Sequence, residues 1–166
     1  EIGPIGESRW VYAASKLASE HLSYAHYRED GLPLAIVRPF NVYGPRQVGD
    51  GAIRGLTIQA LQNLPITLFN DGTQIRSWCY VDDFVDGVLA CAENPAAVGQ
   101  AFNLGNPQGT ATNFELANLI LRLTKELGVN LAGVEIILNM RSKIEQMQLE
   151  VNEFMEYVKQ ELQRGL

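Results

Sequence analysis

Cysteine is scarce: Cys79 and Cys91 are the only two in 166 residues. Two thiols cannot build a disulfide framework or a cysteine-based zinc site, and they fit a reduced, cytoplasmic setting. An excess of basic residues is missing as well. Thirteen Lys+Arg stand against nineteen Asp+Glu, a net charge of -6, which argues against a nucleic-acid partner held by its phosphates. No apolar run approaches the roughly eighteen residues of a membrane span, and no secretory signal opens the chain, so no membrane partner is expected. A methionine start is lacking too. The chain opens on Glu1, as a segment from inside a longer gene product would. What remains is 46% hydrophobic and 19% charged residues, a composition that supports a globular core and excludes wholesale disorder.

Turn-forming residues are unevenly spread. All seven prolines and twelve of the fifteen glycines precede residue 118. That first part alternates two patterns. Helices are predicted over 10–27 with Ser8 as N-cap, over 53–64, over 82–92 capped by Asp82 or Asp83, and from 114 onward. Short apolar runs at 34–37, 66–69 and 101–104 read as buried strands of a parallel sheet. The segment 41–51 reads as a loop rich in Gly and Pro, and Asn70-Asp71-Gly72 as a turn. Helices alternating with short strands place the chain in the α/β class.

Beyond residue 118 glycine and proline nearly vanish, and 134–162 carries a heptad pattern. Ile137, Ile144, Val151 and Val158 recur every seven residues, and Met140, Met147 and Phe154 follow the first three by three residues. This is an a/d seam of about four heptads. It fits a self-associating coiled coil, or one long amphipathic helix packed on its own domain. Glu161 at the last d position frays the seam. β-branched residues at a favour two strands, while methionine at d specifies little. Gly128 fits a helix C-cap and Asn130 the N-cap of the next helix.

One pair of residues in the first part carries chemistry. Tyr12 and Lys16 lie four apart on the first predicted helix and so share a face. A phenol ionises near pH 10, and a neighbouring ammonium favours the phenolate. Such a pair can exchange a proton with a hydroxyl while a hydride moves to or from a nicotinamide. The spacing alone more often marks an ordinary surface pair.

The surroundings sharpen that reading. Val11-Tyr12-Ala13-Ala14-Ser15-Lys16-Leu17-Ala18-Ser19-Glu20 is followed by Arg38-Pro39-Phe40-Asn41-Val42-Tyr43-Gly44-Pro45-Arg46. Next come Asn70-Asp71-Gly72-Thr73-Gln74-Ile75-Arg76, Tyr80-Val81-Asp82-Asp83 and Phe102-Asn103-Leu104-Gly105-Asn106. In this order the series closely resembles the C-terminal portion of extended short-chain dehydrogenases/reductases that act on nucleotide-sugars, the NAD-dependent epimerase/dehydratase family. The resemblance covers about 1–118 and implies a partial Rossmann-like fold. It implies NAD as the parent family's cofactor and a UDP- or dTDP-sugar as substrate. By it Tyr12 is the catalytic acid/base, and Lys16 holds the nicotinamide ribose and tunes Tyr12. Pro39 and Phe40 line the nicotinamide pocket, Asn41 contacts the sugar-nucleotide, and Arg76 grips the diphosphate, a task suited to a guanidinium's paired donors. No metal site is expected. Read without the resemblance, Asn41 and Gly44 are turn residues, Arg76 a surface cation and Asp82 a helix cap.

The glycine-rich strand–turn–helix that cradles a dinucleotide pyrophosphate does not occur in this sequence. The resemblance therefore implies half of an active site, with little catalysis and no tight NAD binding by the chain alone. From about residue 121 the sequence departs from that family. Arg122-Leu123-Thr124-Lys125-Glu126-Leu127-Gly128-Val129-Asn130-Leu131-Ala132-Gly133-Val134 is similar to the C-terminal region of MerR-type transcription regulators near the heat-shock repressor branch, where a short helix, a turn and a long helix form the dimer. No DNA-reading winged helix precedes it, so DNA binding is not carried over. The expected organisation is a truncated enzyme-like portion over 1–118 joined to a helical dimerisation segment over 119–166. A homo-oligomer held through the long helix is expected, and a non-catalytic self-association module is the rival to an enzyme fragment.

Overall fold

The computed structural model describes residues 3, 4, 6–68 and 70–164, the side chains of 162 and 163 excepted. In chain order its elements are α1 (Val11–Glu29), β1 (Ile36–Pro39), β2 (Asn41–Tyr43), α2 (Ala52–Leu61), β3 (Ile75–Tyr80), α3 (Val81–Glu93), β4 (Ala101–Leu104), β5 (Thr110–Thr112), α4 (Asn113–Leu121) and α5 (Leu131–Arg164). The α/β class and the long C-terminal helix expected from sequence are both present. Among the described residues no helix is long and apolar enough to cross a membrane, and no group of His, Cys, Asp and Glu is arranged to hold a metal ion.

The chain divides into two compact units. The described residues of Glu1–Arg38, with Asp86–Asn103, make one; Pro39–Val85, with Leu104–Leu166, make the other. The first unit pairs β1 with β4 in a two-stranded sheet, and the Arg38 guanidinium ties α1 to β1 by two bonds to the Glu20 carboxylate, at 2.7 and 2.6 Å. Ala97 is its one buried side chain among the described residues. α1 buries nothing, and Val11, Leu17 and Leu22 are exposed.

The second unit owns the hydrophobic core. β2 pairs in parallel with β3, and β3 in antiparallel with β5, so the sheet is mixed, where a parallel one was expected. Burial deepens along β3, from exposed Ile75 to buried Trp78, Cys79 and Tyr80. α2 buries Ile53, Leu56, Thr57 and Ala60, the spacing of one face of a 3.6-residue helix. Two buried threonines of the core are satisfied inside their own helices: Thr57 donates to the Ile53 carbonyl and Thr124 to that of Ile120. α4 opens on a capping box in which Thr112 and Glu115 satisfy each other's backbone N–H. It runs into a π-helical turn at Arg122–Glu126, and its buried face continues through Leu116, Ile120 and Leu123. Gly128, at φ +66°, stops the helix. The Asn130 side chain then accepts the Gly133 N–H at 2.9 Å, the cap expected for α5. The first turns of α5 place Val134, Glu135, Leu138 and Ser142 in the same core.

Several sequence expectations are corrected. Ser8 is no cap: it opens a 3-10 turn, Ser8–Trp10, that leads into α1. Asp82 and Asp83 sit inside the first turn of α3, where their charge suits the helix dipole. The first strand lies two residues later than expected. β2 falls within the segment read as a loop, and β3 and β5 were not anticipated. No strand forms over 66–68, and Phe69 lies outside the described residues.

Candidate functional site

The sequence-designated residues fall in both units. Tyr12 and Lys16 occupy successive turns of α1 in the first; Pro39, Phe40, Asn41 and Arg76 belong to the second.

On α1 the Lys16 ammonium lies over the Tyr12 ring, 5.5 Å from its centroid. The two side chains share one helix face, as i, i+4 spacing requires. Tyr12 is 72% exposed, so the residue stands open to solvent. Glu20, a further four residues on, extends the face, and it is held there by Arg38. The Arg38 hydrogen bonds keep the Glu20 carboxyl below the usual carboxylate range, against a smaller opposing effect of desolvation. This two-point clamp between α1 and β1 fixes the helix that carries Tyr12 and Lys16. Sequence reading quoted both residues within motifs but gave the clamp no role. A pair eighteen residues apart has no local spacing signature.

In the second unit Pro39 and Phe40 are exposed. The Phe40 N–H donates to the Leu104 carbonyl at 2.9 Å, and its ring packs so closely on Gly105 that any Cβ there would collide with it. The glycine of the Asn103-Leu104-Gly105 motif is thus explained by an aromatic ring that needs its space. Asn41 Nδ2 donates to the Ser77 carbonyl at 3.0 Å, joining β2 to β3, and the Ser77 hydroxyl donates to the Asn106 carbonyl at 2.8 Å. Asn41 stands opposite Trp78 in the parallel register; Arg76 precedes Trp78 by two residues, about 7 Å along the strand. Arg76 is exposed, and it enters none of the ion pairs among the described residues. It offers a guanidinium to an anion.

Two ionisable groups of the second unit's core are unsuited to proton exchange. Burial pushes the Tyr43 phenol far above its ordinary range, helped by the negative charge of Asp83. The Tyr43 ring meets the Tyr80 ring edge-on at 5.6 Å. Burial likewise raises the Cys79 thiol, which keeps it protonated and inert. Within the α1 unit, then, an exposed phenol beside an ammonium is available for acid/base work. In the other unit an exposed aromatic ring, an amide and a guanidinium are available to bind.

The chain belongs to the NAD dependent epimerase/dehydratase family, whose model matches residues 1–105. It is 41% identical over 121 residues to UDP-glucuronic acid decarboxylase 1 of Arabidopsis thaliana, a match covering 72% of this chain and 27% of that protein. It is 39% identical over 97 residues to an uncharacterized UDP-glucose epimerase, YtcB, of Bacillus subtilis strain 168, covering 58% of this chain and 31% of that one. Among solved structures it is similar to the UDP-glucuronic acid 4-epimerase of Bacillus cereus, crystallised with UDP-glucuronic acid and NAD. There the TM-score is 0.64 and the identity 31%, over 78% of this chain and 42% of the other. The chain spans about a third of the length of the curated relatives it matches.

Proposed function

We propose that the chain forms the sugar-nucleotide-handling part of an NAD-dependent epimerase/dehydratase site, with a UDP- or dTDP-sugar as its substrate class. The observation that carries this reading is the Lys16 ammonium set over the exposed Tyr12 ring. Relatives named for UDP-sugar chemistry support it.

The residues present fit the nicotinamide end of NAD. In the second unit Phe40 offers an exposed aromatic face held in place by its contact with Gly105; on this reading Pro39 and Phe40 would line the nicotinamide pocket, and Lys16 of the first unit would hold the ribose. When bound, NAD supplies a hydride acceptor and donor. The chain's own work is proton handling and binding. The Tyr12 phenolic oxygen takes the proton of the sugar hydroxyl being oxidised and returns it. Lys16 stabilises the phenolate that forms in between. Arg76 pairs with the diphosphate and Asn41 with the sugar-nucleotide. The segment over 119–166 adds association rather than chemistry. The chain alone binds NAD weakly, because no residue of it is assigned to the pyrophosphate.

Binding tests the reading. Titration of UDP-glucuronate into the chain should saturate. Arg76→Ala should weaken binding about tenfold or more, the value of charge-assisted hydrogen bonds to a phosphate. Tyr12→Phe, which keeps the ring and loses only the proton-carrying oxygen, should bind within about threefold of the parent. Equal affinity in Arg76→Ala, or no binding by the parent chain, overturns the proposal.

A further inference from the structure

Lys16 has a choice of two partners on α1. Tyr12 lies one turn before it and Glu20 one turn after it, so the three share a helix face. Opposite charges at this spacing attract. The Glu20 side chain is only 25% exposed, so water solvates its charge poorly and the carboxylate calls for a cation. A charge-assisted hydrogen bond to such a group outweighs the pull of an open aromatic face on an ammonium. Left to themselves, Lys16 and Glu20 would pair. They do not. The Lys16 ammonium sits over the Tyr12 ring, and Lys16 enters none of the ion pairs among the described residues. Both Glu20 oxygens are already taken: Arg38 Nε donates to Oε1 at 2.7 Å and Nη2 to Oε2 at 2.6 Å.

We propose that Arg38 reserves Lys16 for Tyr12, by occupying the carboxylate that would otherwise draw the ammonium one turn down the helix. Arg38 and Glu20 are then positioning residues for the acid/base pair, in addition to tying α1 to β1. The inference rests on the reading of Tyr12 and Lys16 given above. All four residues belong to the first unit. The fork geometry of a guanidinium is what the task requires, because two parallel donors fill both oxygens at once. A lysine at position 38 would hold the carboxylate as a point charge and leave part of it open to Lys16. Glu20 is thus at once the anchor of the helix and the competitor that has to be kept occupied.

Proton NMR of the full chain, without sugar-nucleotide, tests this. The ε-methylene of a lysine seated over an aromatic face resonates upfield through the ring current. In the parent the Lys16 ε-methylene should show that shift. Arg38→Met frees the Glu20 carboxylate, and the shift should be lost. Glu20→Gln breaks the same ion pair but leaves no competing charge, so the shift should remain. The double variant, R38M with E20Q, should regain what R38M lost. A merely structural clamp predicts the opposite pattern: both single variants remove it, so both would behave alike, and the double variant would recover nothing. Either of those results overturns the proposal, as does a parent without the upfield shift. Circular dichroism reports whether each variant keeps its helices. Should Arg38→Met fail to fold, Ser19→Glu tests the competition with the clamp intact. Ser19 is exposed and three residues from Lys16, so an unclamped carboxylate there should reduce the shift; an unchanged shift overturns the proposal. Failure of UDP-glucuronate to bind, with these shifts as expected, would count against the sugar-nucleotide reading and not against the role of Arg38.

Discussion

Leu138 is the residue whose truncation best asks whether the start of α5 belongs to the α/β core. It is 8% exposed and lines a cavity of about 410 Å³ together with Tyr43, Ile53 and Trp78. Leu138→Ala removes three carbons, about 2.4 kcal/mol of transfer free energy at about 0.8 per carbon. A sealed void would add a further cost in proportion to its volume. Here the vacated space joins an existing cavity with polar and charged residues on its wall, among them Gln108, Arg122 and Arg141. Water can enter such a space, so the transfer cost dominates. The expected loss is about 2.5 kcal/mol, near the low end of measured Leu-to-Ala costs. That corresponds to about 5–10 °C in melting temperature for a chain of this size. Urea unfolding followed by Trp78 emission, in a Trp10→Phe background so that one indole reports on the second unit, gives the number directly. Met147→Ala, on the exposed stripe, is the comparison. At concentrations where the chain is monomeric it should cost under about 0.5 kcal/mol. A Leu138→Ala loss below about 1 kcal/mol, or one equal to that of Met147→Ala, would refute the placement of these turns in the core.

Two further outcomes follow from the same core. Burial raises the Glu135 carboxyl above its ordinary range, with Arg54 pulling it part of the way back. A carboxyl with a higher pKa folded than unfolded favours folding when protonated. That benefit is lost as pH climbs from the unfolded value through the raised folded one. Melting temperatures of Glu135→Gln should therefore gain on the parent as pH rises from about 4 to about 7; a constant difference would contradict the buried placement. At Gly109 an added Cβ would fall on the Trp78 backbone oxygen, and a backbone cannot swing aside as a side chain can. Gly109→Ala should cost about 1–3 kcal/mol in urea unfolding, and a cost under about 0.5 kcal/mol would show that the turn before β5 is not held against β3.

What the sequence made legible follows from how local each signal is. α1, α2, α3, α4 and α5 were readable because apolar spacing and end signals lie within one segment, as with Gly128 and Asn130 flanking the turn before α5. β2 and β3 were not. Asn41-Val42-Tyr43 sits among Gly and Pro and reads as loop, yet it is a strand because Cys79 and its neighbours supply backbone partners some 37 residues away. Ile75–Tyr80 alternates poorly because one end is exposed and the other buried through and through. The apolar run at 66–68 shows the converse: apolar character without a pairing partner makes no strand. At the candidate site, Tyr12 beside Lys16 was readable from spacing because a helix fixes it. The Glu20–Arg38 clamp depends on how α1 lies on β1 and was not. Nor were the side-chain bond from Asn41 to β3 and the ring of Phe40 on Gly105, both of which depend on tertiary packing.

The long helix answers a question that composition alone left open. A helix whose task ended with packing on its own unit would turn polar all round after Ser142, the last residue that unit buries. α5 continues for about six more turns, with an apolar residue every three or four positions as far as Val158. Those positions hold Val151, Phe154 and Val158, residues poorer at helix formation than the Glu, Lys and Gln around them, so propensity does not explain their choice. Left in water, a contiguous stripe of this kind is an association liability. Its period of seven, not the 3.6 of the turns buried in the core, is the one that keeps a seam facing another helix. The same element therefore changes character along its length: its first turns complete the core of its own unit, and the remainder keeps an apolar stripe that the described residues of that unit leave exposed.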